Sequence, residues 1–133
     1  MLEFLNYFFF TGHALLIVFN ALGWAWRRTR PWQLLTLALT GASWFVLGIW
    51  YGWGYCVCTD WHWRVRAALG YHDDNDSYIY LLINKLTGLR PSVETCQSLA
   101  LGVFVAALAL GVTLNVRDFI RARRRPRPVD PKT

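Results

Sequence analysis

Gly48-Ile-Trp-Tyr-Gly-Trp-Gly-Tyr-Cys-Val-Cys-Thr-Asp-Trp-His-Trp63 begins as an apolar helix, breaks over glycines, passes a cysteine pair and restarts as a helical pattern. Five tryptophans fall in and just before it, at Trp44, Trp50, Trp53, Trp61 and Trp63. Tryptophan favours the headgroup layer of a bilayer, where its ring is half dry and its N–H finds a polar partner. The stretch therefore reads as the point where a spanning helix meets one face of a membrane.

Composition agrees. The 133 residues have room for one domain. Hydrophobic residues make up 55% and charged residues 17%, against about 25% charged in soluble domains. A soluble fold of this size could not bury so much apolar surface. The net charge of +6 is gathered in two clusters, at Arg27-Arg28-Thr29-Arg30 and from Arg117 to Arg127. Basic clusters that bound apolar helices are a topology signal before they are a nucleic-acid signal.

Upstream of the Trp-rich bend, Phe4 to Trp26 carries no charge, and its 23 residues reach about 34 Å as a helix, enough to cross the hydrocarbon core. It starts with Glu3 and is followed by arginines, the reverse of a signal peptide, so it reads as a retained span. The second span leads into the bend, with Pro31 suited to its first turn. Cys96 to Val116 is again free of charge. The expected fold is an all-α membrane protein. A single domain over 1–121 has spans at about 4–26, 32–54 and 93–118, with a loop over 55–92, and 122–133 is a basic tail.

The loop is too polar to cross. Thr59 is expected to N-cap a helix from Asp60 to Leu69 with an apolar face of Trp61, Val65, Ala68 and Leu69, closed by Gly70. A polar turn around Asp73 leads to a second helix, Tyr78 to Thr87, capped by Asp76 or Ser77 and ended by Gly88. Its apolar face is Ile79, Leu82, Ile83 and Leu86. Both amphipathic helices are too short to span, and belong in the interface or over the ends of the spans. Asp73-x-Asn75-x-Ser77 lacks the glycine and the final glutamate of a calcium loop.

Orientation follows from arginine. The first loop carries three and the stretch after the third span six, whereas Cys56 to Thr95 holds four basic against five acidic residues. The positive-inside rule puts the arginine loop and the C-terminus in the cytoplasm, and the N-terminus and long loop outside.

Small residues mark expected packing faces: Gly41, Gly48 and Gly52 on the second span, Gly102, Ala106 and Ala109 on the third. These serve packing within the chain or a seam to another helix. His13 and Asn20 share one face of the first span and should pair inside the bundle, for instance with Thr36, Thr40 or Ser43. Alternatively His13 ligates a haem or chlorophyll-type metal, or contacts a quinone. Cys56, Cys58 and Cys96 all fall at the same ends of helices. In an oxidising compartment a Cys58–Cys96 disulfide is permitted; otherwise all three are small buried thiols. Cys56, Cys58 and His62 lack a fourth ligand for zinc, so no metal site is expected.

His13, Phe19-x-x-Leu22-Gly23 and Cys56-Val57-Cys58-Thr59 resemble a bacterial inner-membrane family known as domain of unknown function 2784. Its hallmark is Cys-Pro-Leu-Thr or Cys-Pro-Phe-Thr after the second helix. Some members continue Thr-Asp-Trp-His-Trp, as Thr59, Asp60, Trp61, His62 and Trp63 do here, and later Ser-Tyr-Ile, as Ser77 to Ile79 do. The likeness covers nearly the whole chain, but Val57 and Cys58 replace Pro and Leu or Phe. The resemblance implies a small polytopic membrane protein with no established activity, and leaves Cys58 peculiar to this chain, which favours its pairing with Cys96.

Three functions follow as expectations. The first is a non-enzymatic accessory subunit of a larger membrane complex, since no complete catalytic set is apparent. The second is a binder of an intramembrane cofactor or lipid-soluble ligand through His13 and Asn20. The third is an outward-facing thiol enzyme using Cys56, His62 and Asp60.

Overall fold

The computed structural model of the chain describes residues 1–72 and 75–124. The turn expected at Asp73 and the tail beyond Arg124 lie outside the described residues. Helix α1 runs Leu2–Leu22 and ends in a tighter 3₁₀ turn, Gly23–Ala25. Helix α2 covers Arg30–Tyr51, α3 Val57–Ala68, α4 Tyr78–Thr87 and α5 Val93–Arg123. Three segments are long and apolar enough to cross a membrane: Leu2–Ala25, Arg30–Tyr51 and Val93–Arg123. The fold is therefore the expected all-helical, three-span bundle.

Local chemistry sets the helix ends. Pro31 lies in the first turn of α2, where its missing N–H costs nothing. Ser77 caps α4 by accepting from the Tyr80 N–H, and Ser92 caps α5 by accepting from the Thr95 N–H. Midway along α2 the ladder widens into a π-helical turn, Ala42–Leu47. Beside it the Ser43 hydroxyl donates to the Tyr55 carbonyl at 2.9 Å, tying the span to the chain that returns from its end.

Helix α2 packs against both α1 and α5; α3 lies along α1, and α4 leans on α5. Fully buried Leu37 and Gln33 of α2, with Ala107 of α5, form the dry centre. Two glycines permit this approach. A Cβ on Gly23 would stand 2.9 Å from the Gln33 side chain; one on Gly111 would stand 2.7 Å from Gln33 Oε1 and 3.0 Å from Leu34.

The small residues singled out in the sequence mostly do other work. Gly41 faces Phe104, whose ring end would lie 3.3 Å from an added Cβ. Gly48 instead packs under the backbone of Trp53 and Gly54. Gly52 stops the helix at φ 102°, a conformation that favours glycine. The Gly48–Gly52 spacing is thus a helix ending rather than a helix–helix seam. Ala107 and Gly111, not Gly102 and Ala106, face α2: Gly102 has open space around it, and Ala106 and Ala109 are exposed. The ridge read from the sequence was one residue out of phase with the packed face.

The loop helices are also rotated from expectation. Helix α3 starts earlier, with Cys56 rather than Thr59 at its N-cap. It buries His62 and Arg66, and leaves Trp61 55% exposed. Helix α4 buries Tyr78 and Leu81, and leaves Leu86 74% exposed. The amphipathic rule overlooks partners on α1: Asn6 receives His62 and the Phe10 carbonyl receives Tyr78, so these polar side chains turn inward.

Gly111→Val should destabilise the detergent-solubilised protein by about 1–3 kcal/mol, the range for overpacking a tight contact, whereas Gly102→Val should leave its thermal midpoint unchanged.

Candidate functional site

Two polar clusters are built into this apolar frame, one toward each end. At the arginine end, Asn20 of α1 accepts from the Thr36 hydroxyl at 2.6 Å and donates to Thr40 Oγ1 at 3.1 Å. The expected pairing of Asn20 with α2 is therefore present. The Gln33 amide donates to the Asn20 carbonyl at 2.9 Å and approaches the Ala107 carbonyl at 3.5 Å. One amide thus touches all three spans. Arg30, only 7% exposed, donates to the Trp24 carbonyl at 2.8 Å and forms an ion pair with Asp118, which Arg27 approaches at 3.6 Å. The sequence reading missed Gln33, Arg30 and Asp118, because each lies near a helix end where polar residues ordinarily face water. This cluster fastens helices; it presents no reactive group.

At the other end the chemistry differs. Helix α3 lies along the first half of α1, and Cys56 and His62 of α3 meet it there together with Tyr78 of α4. His62 is fully buried, its Nε2 2.9 Å from Asn6 Oδ1. The phenol of Tyr78 donates to the Phe10 carbonyl, and burial pushes its pKa up to about 12, so it stays a neutral donor. The Tyr78 ring stacks on His13, centroids 4.0 Å apart and planes inclined by 15°. His13 Nε2 in turn meets Cys56 Sγ at 4.0 Å. The Trp63 N–H donates to Asp76 at 3.2 Å, while Arg64 and Asp60 form an exposed pair at 2.9 Å, which adds little.

Thus the partner of Cys56 is His13, 43 residues away in sequence, and not His62, which Asn6 engages. Nothing in the spacing announces this pair, although His13 and Cys56 both belong to the set of residues that carry the family likeness. Two opposing influences act on the Cys56 thiol. Burial, the largest, pushes its pKa up. The hydrogen bond and charge of His13, helped by the amide and hydroxyl of Thr59, outweigh it and bring the value to about 7. The Cys58 thiol is held up, by burial and then by the neighbouring Cys56. No Cys58–Cys96 disulfide is formed in this structure: all three thiols are free, with Cys58 exposed in the first turn of α3 and Cys96 fully buried in the first turn of α5. A bridge would require one of them to leave its environment.

Three long apolar helices fastened by internal polar contacts define a multi-pass membrane protein. Its residues 3–116 match the family described as Protein of Unknown function, DUF2784, and the chain belongs to that family. No curated protein and no solved structure matches it.

Asn20→Ala removes both hydroxyl contacts and should cost about 1 kcal/mol of stability, the scale of hydrogen bonds between spanning helices, as read by detergent unfolding. The Cys56 prediction concerns pH. A lowered pKa means thiolate accumulates as pH rises through about 7. The alkylation rate of Cys56, mapped by mass spectrometry, should therefore climb about tenfold per pH unit below 7 and level off above it. His13→Ala should move that midpoint up toward the ordinary thiol value.

Proposed function

We propose that this chain is an accessory subunit of a larger membrane complex. Its setting is a bacterial inner membrane, with the N-terminus and the α3–α4 loop outside and the C-terminus in the cytoplasm. The arginine distribution supports that orientation. The observation that carries the reading is the open face of α5. This helix buries only Cys96, Ala107 and Gly111, and Gly102, Ala106 and Ala109 form an exposed strip of small residues along it. Between spanning helices, association depends on close backbone approach, and here that approach is left unused within the chain. The partner this face fits is another spanning helix.

The cofactor alternative draws less support. The Nε2 of His13 is engaged by Cys56 and one ring face is covered by Tyr78, so a ligand at Nε2 would have to displace the thiol.

Affinity purification from native membranes in mild detergent tests the proposal. The expected result is a stoichiometric membrane-protein partner with the wild-type chain, lost with Gly102→Leu or Ala106→Leu while the variant itself remains folded. Purification of the wild-type chain alone, from gently solubilised membranes, would count against it.

A further inference from the structure

Cys56 and Cys58 stand two residues apart at the start of α3 and differ in what governs thiol chemistry. Cys56 is half-buried, occupies the N-cap of a 12-residue helix and meets His13 at 4.0 Å. Cys58 is exposed, one turn-position further on. An imidazole against a sulfur can take its proton and then balance the thiolate as an imidazolium.

A second observation comes from His13 itself. Its Nδ1 is buried with no hydrogen-bond partner. A buried polar atom left unpaired is destabilising, and no carbonyl or carboxylate holds the ring by that atom. The ring is positioned instead by stacking on Tyr78, which is anchored through its hydroxyl to the Phe10 carbonyl. Among the described residues its one polar engagement is therefore with the sulfur, a placement that packing alone does not require.

We propose that Cys56 and Cys58 form a redox-active dithiol that reduces a disulfide, with Cys56 as the attacking thiol, His13 as its proton acceptor and Cys58 as the resolving thiol. His13 takes the Cys56 proton. The Cys56 thiolate attacks one sulfur of the substrate disulfide; a Cys56–substrate S–S bond forms and the substrate's own S–S bond breaks. The departing thiolate takes the proton from His13 and leaves as a thiol. Cys58 then gives its proton to His13 and attacks Cys56 Sγ. The Cys56–Cys58 bond forms, the mixed disulfide breaks, and the second substrate half leaves as a thiol with that proton. Two electrons and two protons pass from the dithiol to the substrate. The order of attack follows the general rule that the more acidic thiol supplies the thiolate near neutral pH.

The substrate class is an accessible disulfide, borne by a small molecule or by a protein loop. Cys96 takes no part, since it is fully buried at the start of α5. The inference is independent of the partner proposed for α5, and the two can fail separately.

The test uses the full chain, reduced in mild detergent, freed of reductant and mixed at pH 7 with oxidised glutathione or, separately, with a peptide closed by a disulfide. Samples are acid-quenched over time, and the cysteines are mapped by mass spectrometry. With at least one probe, the wild-type chain should accumulate a Cys56–Cys58 disulfide while Cys96 stays a thiol. Cys58→Ser should trap the mixed disulfide on Cys56. Cys56→Ser should react at Cys58 at least about tenfold more slowly. His13→Gln should slow adduct formation on Cys56 by a similar factor. If that variant loses its fold, the Cys58→Ser trap still decides, since it alters only an exposed side chain. Reaction with neither probe, a first adduct on Cys58 rather than Cys56, or a persistent mixed disulfide on the wild-type chain would each overturn the proposal.

Discussion

Lipid cannot solvate a polar side chain, so such groups inside the spans gain by finding partners within the protein. Gln33 is where this constraint joins the most helices, although its Oε1 finds no hydrogen-bond partner among the described residues. It lies at the dry centre of the bundle, and its amide reaches the carbonyls of Asn20 on α1 and Ala107 on α5. Gly23 and Gly111 leave room for it on either side. Asn20, Thr36 and Thr40 continue the same contact along α1 and α2. Arg30 and Asp118 close it with an ion pair that the Trp24 carbonyl supports. Leucine side chains gain little by leaving lipid for one another, so hydrogen bonds and close packing fix the helix arrangement.

Polar pairing with α1 also sets the faces of the loop helices. Helices α3 and α4 do not hide an apolar stripe from water. They turn His62, Arg66 and Tyr78 toward the bundle and leave Trp61 and Leu86 exposed. Asn6 of α1 receives His62, and Phe10 receives Tyr78. Arg66 is covered by the Tyr71 ring at 4.7 Å. The result is a polar, aromatic core at one end of an otherwise apolar bundle, with Cys56 and His13 at its edge. A thiol brought beside an imidazole in such surroundings becomes acidic, because His13 and Thr59 together outweigh the effect of burial.

Much of the architecture was legible in the sequence. Uninterrupted runs without charge gave the three spans, and Ser77, Gly70 and Gly88 marked helix ends because capping is local chemistry. Asn20 could be paired with Thr36 and Thr40 because lipid makes any polar group in a span seek a partner. What failed was phase and long-range pairing. Gly102 and Ala106 have the spacing of a packing face, but so do Ala107 and Gly111 five residues further on, and only the position of α2 decides between them. Gly52 follows Gly48 at the interval of a packing motif, yet serves to end a helix. His62 was joined to Cys56 because it is near in sequence. Its place on α3 turns it toward Asn6, and the thiol meets His13 from another helix.

The central claim is that polar partners within the bundle, not an apolar stripe, set which side of α3 and α4 faces inward. Spin labels placed singly at positions 61, 62, 81 and 86 of the bilayer-reconstituted protein test it most directly, through their collision rates with oxygen and with a water-soluble nickel chelate. Access of at least one quencher to 61 and 86, with neither reaching 62 or 81, is the predicted result. Strong nickel access at 62, with 61 shielded from both, would contradict it.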